Sequence, residues 1–155
     1  MDKAAAIAEL ERKYVAFRDL IVPLPDEAFD ETWLGDWNLA QLLAHMAGWF
    51  REMAPAFYRV GRGERPAPEG VDYSKTDEWN AKFAAEAKPG RAALDDFDEA
   101  FHVYYAAALA LDEGLYGIDP EKGRPRIGNR LLDGPGLHHF DEHRPQLEAW
   151  LASRR

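Results

Sequence analysis

The chain of 155 residues contains no cysteine. That absence removes disulfides, thiolate metal ligands and any cysteine nucleophile, and it leaves the redox compartment unspecified. Thiol chemistry, if it occurs here, needs a thiol carried by a small molecule. Long apolar runs are missing too. The longest weakly polar stretch, "VYYAAALAL", falls far short of the roughly 20 residues that a membrane-spanning helix needs. The opening "MDKAAAIAELERKY" alternates charged and apolar residues without an apolar centre, so it reads as neither signal peptide nor anchor. A cytoplasmic location is the expectation, with no membrane partner. Positive charge is also scarce: 19 Lys and Arg stand against 28 Asp and Glu, a formal net charge of −9. Nucleic acid is therefore not the expected main partner, because phosphate binding needs a basic face that releases counterions. Internal repeats and strand-like alternation are not found either.

What is present is a globular composition, 46% apolar and 12% aromatic, in a length that suits one domain over 1–155 with its own core. Four amphipathic segments run along it. In the first, Ile7, Leu10, Tyr14, Phe17 and Ile21 step by three and four, one face of a helix, and Pro23 and Pro25 end it. The second is signalled by Asn38 as cap, Gln41 at the position that answers the cap, and Trp37 placed to staple onto Leu42. Its apolar face continues through Met46, Trp49, Phe50 and Met53 toward Gly61 and Gly63, with a late bend expected at Pro55. A Pro/Gly-rich connection, "RGERPAPEG", comes next. Ser74 with Asp77 resembles a capping box, which predicts a short extra helix through Trp79 and Phe83 ending at Pro89–Gly90. The third main helix carries Leu94, Phe97, Phe101, Tyr104, Ala108 and Leu111, closed by Gly114 and Gly117. "EKGRPRIGNR" then gathers Lys122, Arg124, Arg126 and Arg130, either a solvated loop or a grip for an anionic small molecule near a site mouth. "DGPG" at 133–136 predicts the start of the last helix, capped by Asp133 and carrying Phe140, Leu147, Trp150 and Leu151. The expected fold is all-α, a four-helix bundle with a short extra helix in the long connection before helix three.

Five histidines fall onto this frame. His45 lies three residues after Leu42 and four before Trp49, which points it into the bundle. His143 lies three after Phe140 and four before Leu147, on the buried stripe of the last helix. His139 is one turn earlier and projects from the same side. His138 falls on the outer side with Glu142, and His102 flanks the third helix where Asp98 can pair with it. Any one of these has a plain reading as a satisfied core or surface histidine. Together, three inward imidazoles on two helices are costly to bury unless something satisfies them. A divalent ion does so, and three histidines leave coordination positions open for water or substrate, as catalytic sites require. Pro145 disfavours helical geometry at Arg144. A kink just after His143 is expected there, one that would rotate Leu147 and Trp150 relative to the histidine pair.

"LPDEAFDETWLGDWNLAQLLAHMAGWF" resembles the entry to the second helix in the DinB-like superfamily of four-helix bundles, where a tryptophan precedes the helix. In that family an "LLAH" stretch with "W" four residues later carries the first metal histidine. "LHHFDEHRPQLEAWL" resembles the family's last helix, in which an H-x-x-x-H pair supplies two more ligands. The resemblance implies that His45, His139 and His143 form the metal triad, with zinc or nickel the metals expected. The ending "HHFDEHRPQLEAWL" and the "EWN" at 78–80 lean toward the ClbS/DfsB-type branch.

The resemblance implies two chemistries. Some DinB-like proteins are thiol-dependent transferases or isomerases, in which the metal activates a low-molecular-weight thiol toward a small electrophile. The ClbS/DfsB-type branch instead resembles self-protection proteins that hydrolytically disarm a reactive genotoxin. A homodimer is also implied. In either chemistry Trp49, one turn beyond His45, is read as a wall of the substrate pocket or as plain core. Glu52, two turns beyond, is read as a base or metal-shell partner, or as a solvated helix position. A third possibility is a non-catalytic metal-binding or dimerisation bundle, since the fold alone decides nothing about function.

Overall fold

Spacings of three and four build the first long helix, α1 (Lys3–Ile21), in the computed structural model, which describes residues 1–154. Asp2 caps it by accepting a hydrogen bond from the Ala5 amide, and Ile7, Leu10, Tyr14, Phe17 and Ile21 are its buried stripe. After a 3₁₀ turn (Asp26–Asp30) comes an antiparallel hairpin of β1 (Thr32–Leu34) and β2 (Trp37–Asn38). The hairpin delivers the chain straight into α2 (Leu39–Gly61). Both halves of the expected capping box form: Asn38 accepts from the Gln41 amide, and the Gln41 side chain accepts from the Asn38 amide. The helix runs on through Pro55, which is exposed, so the carbonyl that its missing N–H abandons can face water.

The short extra helix, α3 (Thr76–Ala84), is present, but Ser74 does not cap it. The Ser74 amide instead bonds the Asp72 carboxylate, which closes a local turn before the helix begins. The helix also stops at Ala84, short of Pro89–Gly90. The next helix, α4 (Ala92–Ala110), is capped from a distance: Asp26, in the turn after α1, accepts from the Arg91 amide at 2.8 Å. A second hairpin, β3 (Ile118–Asp119) with β4 (Arg124–Pro125), precedes the final segment. Neither hairpin is announced by the sequence, because strands of two or three residues are too short to display a period-two pattern.

The last segment departs furthest from the sequence reading. Asp133 does not start it. The helix begins at α5 (Ile127–Leu132), inside the basic stretch, passes through a π-helical turn (Asp133–His138) and continues as α6 (His139–Ser153). "DGPG" is thus a widened turn within one rod and not a boundary. A Cβ on Gly136 would lie 2.9 Å from Leu10 and 3.1 Å from the Tyr104 hydroxyl, so only glycine lets the turn pack there. Pro145 does not displace the stripe either: it is exposed, and Leu147 and Trp150 remain buried beyond it.

The fold is an all-α bundle of α1, α2, α4 and the α5–α6 rod, with α2 and α4 sharing the largest interface. Its centre is aromatic. Phe50 is fully buried, with ring centroids 5.0 Å from Tyr104, 5.7 Å from Phe101, 5.8 Å from Phe97 and 6.1 Å from Phe140. Tyr104 donates its hydroxyl hydrogen to the Leu131 carbonyl, tying α4 to α5. No described helix is long and apolar enough to cross a membrane.

Gly48 allows α3 to lie against α2, because a Cβ there would overlap the Phe83 ring. Gly→Ala inside a helix ordinarily stabilises by about 1 kcal/mol. Gly48→Ala is expected to do the reverse, costing about 1–3 kcal/mol in urea unfolding through forced overpacking. An unchanged or raised midpoint would show that α3 yields freely.

Candidate metal centre

Three segments each deliver one imidazole to a common point. The capped start of α2 fixes the register that buries His45, the π-helical turn hands over His139, and α6 places His143 one turn later. One ring nitrogen from each of the three lies within 4.8 Å of the other two. Ring centroids are 4.9 Å apart for His45 and His139, 5.2 Å for His45 and His143, and 5.6 Å for His139 and His143. His45 is 3% exposed and His143 7%, with His139 half-buried.

The remaining nitrogens identify the tautomers. His45 Nδ1–H donates to the Leu42 carbonyl at 3.1 Å, and His139 Nδ1–H to the Pro135 carbonyl at 2.9 Å. His143 Nδ1–H donates to Gln146 Oε1 at 2.8 Å. The Leu42 and Pro135 carbonyls can only accept, so His45 and His139 carry a proton on Nδ1 and, when neutral, keep the lone pair on Nε2; Gln146 holds His143 at the same ring nitrogen. This is the pattern of imidazoles held for metal ligation, where the second nitrogen is anchored by an outer partner. Burial pushes the His45 ring down to about 4, assisted by the like charge His143 would carry, against a weaker opposing pull from the Leu42 carbonyl. Burial pushes His139 down to about 3, with His45 and His143 adding repulsion. Both rings are neutral, and so competent as ligands, at neutral pH.

A cavity of about 650 Å³ opens beside the three rings. Trp49 lines it, buried on α2, with its Nε1–H donated to Asn80 of α3 at 2.6 Å. Trp37 lies with its ring centroid 5.0 Å from that of His45. Glu52 does not line this cavity; its carboxylate accepts a hydrogen bond from the Tyr73 hydroxyl at 2.9 Å, and it borders a smaller pocket with Arg51 and Asp96. Among the described residues, Glu142 supplies the cavity's carboxylate. His138 is exposed at the mouth, 3.9 Å from Glu142. His102 bonds the Asp98 backbone carbonyl and not its carboxylate, which Tyr14 and Arg18 occupy. None of Lys122, Arg124, Arg126 and Arg130 lines the cavity.

The sequence does not single out Gln146 or Tyr73, and Asn80 stands there only within "EWN", with no role at the cavity. Gln146 stands three residues after His143, a helical spacing that could have nominated it. Tyr73 lies in the long connection, where no periodicity exists to read.

The depressed histidines have a direct consequence for the metal-free protein. Between pH 6.5 and about 4 the unfolded chain takes up a proton that folded His45 refuses. Stability is therefore whole above that window and falls as pH drops through it, by about 3 kcal/mol from this one group. Urea unfolding at pH 7.5 and pH 4.5 reads the slope, and His45→Leu should make it shallower, leaving the share that His139 contributes. An equally steep loss in the variant would contradict the assignment.

Comparison with known proteins fits this frame. The model of the DinB superfamily matches residues 9–132, a span that holds His45 and ends before His139 and His143. No curated protein matches the chain. Among solved structures, DfsB, described as a sibling lethal factor precursor, superposes with a TM-score of 0.79 at 17% identity, covering 100% of this chain and 98% of that one. A protein from Streptococcus pneumoniae gives 0.78 at 14% identity over 98% of this chain and 91% of its own. An uncharacterized protein from Clostridium difficile 630 gives 0.76 at 13% identity over 98% and 96%. At such identities the structures speak to the fold, and the family rests on the matched span. The chain belongs to the DinB superfamily.

Proposed function

We propose that this chain is a metal-dependent enzyme acting on a small electrophile, with His45, His139 and His143 holding a divalent transition metal through Nε2. One observation carries the reading: each of the three rings is anchored through Nδ1 by a partner three or four residues away in the chain, and one ring nitrogen from each lies within 4.8 Å of the other two. An all-imidazole donor set suits zinc or nickel, and equally copper or iron. Once bound, such an ion lowers the pKa of a thiol or water beside it and makes an anionic nucleophile available at neutral pH. The chain's part is to hold the His45 and His139 rings neutral, anchor all three rings at Nδ1 and keep an apolar chamber next to them. Because the chain has no cysteine, any thiol is a small-molecule cosubstrate.

The resemblance of the chain's ending to the ClbS/DfsB-type branch adds a second form of the same reading, in which the electrophile is a reactive genotoxin disarmed by water in self-protection; DfsB shares the fold. The DinB-like resemblance adds a homodimer to the proposal.

Calorimetric titration of chelator-stripped protein with zinc should give one ion per chain. His45→Ala, His139→Ala and His143→Ala should each weaken binding by at least about a hundredfold, and Gln146→Ala by about tenfold, as loss of an outer partner does. Wild-type affinity in His45→Ala would remove the proposed centre. Thiol dependence then separates the two chemistries. Turnover of chlorodinitrobenzene only when a thiol is supplied marks a transferase, and turnover of an electrophile in water alone marks a hydrolase.

A further inference from the structure

The histidines occupy one part of the cavity, and a different part is walled by aromatic rings whose polar atoms are already engaged. Trp49 stands four residues past His45, about 6 Å further along the helix axis. Its Nε1–H is given to Asn80, and the Tyr73 hydroxyl hydrogen is given to Glu52. The Trp49 and Tyr73 centroids are 5.9 Å apart with their planes at 61°, and Trp79 lies 5.9 Å from Trp49 and 5.1 Å from Tyr73. With both donors spent on protein, these two rings offer the cavity π surface and little else.

Charge in the lining is one-sided. Among the described residues no lysine or arginine borders the cavity, and Glu142 sits half-exposed at its edge. An anionic group entering here would give up hydration and meet no cation of the chain. A flat group without negative charge loses less on entry. If it is cationic, it also gains from the negative faces of indole and phenol.

Tyr73 is tethered rather than loose. It belongs to the Pro/Gly-rich connection between α2 and α3, a segment with no helical ladder of its own. Two side chains of α2 hold that connection: Arg59 Nε–H donates to the Pro66 carbonyl at 2.7 Å, and Glu52 receives the Tyr73 hydroxyl. Burial, then the Glu52 carboxylate, push that hydroxyl up to about 12, so it remains a donor across the working range. A hydrogen bond to an ionised acceptor is roughly twice as strong as a neutral one.

We propose that Trp49 and Tyr73 form a stacking subsite for a flat aromatic group, uncharged or cationic, carried by the substrate, and that Glu52 is the residue that positions Tyr73. The inference rests on the metal-centre reading for the reaction that takes place beside this group. It deepens that reading by naming the substrate class: a molecule that carries a planar aromatic group without negative charge on the ring system that enters this subsite.

Two probes of similar size and opposite charge test it, N-methylquinolinium and naphthalenesulfonate, titrated into zinc-loaded and metal-free protein and followed by tryptophan fluorescence. The quinolinium should bind at least about tenfold more tightly than the sulfonate in the metal-free form, and Trp49→Leu and Tyr73→Ala should each erase most of that affinity. Glu52→Ala should weaken quinolinium binding while Glu52→Gln, which keeps an acceptor oxygen, restores it; zinc affinity should stay unchanged in all four variants. Sulfonate binding as tight as quinolinium binding overturns the subsite, as does wild-type quinolinium affinity in both Trp49→Leu and Tyr73→Ala. Tyr73 lies on the connection outside the main helices, so its variant reads the subsite even where Trp49→Leu fails to fold. Loss of zinc binding by wild type would fell the metal centre alone, because the metal-free titration still measures the subsite.

Discussion

Three imidazole rings share one largely buried space, and that space disfavours a charge on His45 and His139. A charged ring there would lose its hydration and face like neighbours, His143 for His45 and both other rings for His139, which is why His45 and His139 are driven so far below their ordinary range. Neutral rings still carry an N–H that must find an acceptor. Much of the local architecture supplies those acceptors. The Leu42 carbonyl comes from the first turn of α2, the Pro135 carbonyl from the π-helical turn, and Gln146 from the next turn of α6. With each ring anchored at Nδ1, one ring nitrogen from each histidine lies within 4.8 Å of the other two.

The π-helical turn shows how packing and site are joined. Its width lets Pro135 sit within a continuous helical rod, and its glycine at 136 lets the rod press against Leu10 and Tyr104. The same turn ends at His138 and releases His139 facing α2. Wide turns of this kind are often found at functional sites, since the extra residue re-aims the side chains of the next turn. Here it aims a ligand-capable ring while its own carbonyl orients that ring.

Much of this is legible in the sequence. Periodicity marks the long helices because their apolar faces span many turns, and the Asn38–Gln41 box marks the start of α2 because its chemistry is local. His45 and His143 are placed by their spacing from Leu42, Trp49, Phe140 and Leu147. The errors lie where local rules compete. Gly134, Pro135 and Gly136 look like a boundary, because glycine and proline usually are one, yet tertiary contacts with α1 and α4 hold the helix through them. Ser74 and Asp77 have capping-box spacing, but Asp72 takes the Ser74 amide first. Asp98 stands one turn from His102 in the chain, whereas Tyr14 and Arg18, far away in sequence, claim its carboxylate.

The sequence by itself determined the helical class, the absence of any cysteine-based chemistry, and which histidines face inward, since each follows from composition or from a period of 3.6 residues. Tertiary structure alone decided how the three rings meet and which group the Glu52 carboxylate accepts from. Those depend on distances between segments nearly a hundred residues apart, such as His45 to His143, and on the single acceptor each N–H reaches. Spacing along a helix fixes direction; only packing between helices fixes what lies at the end of it.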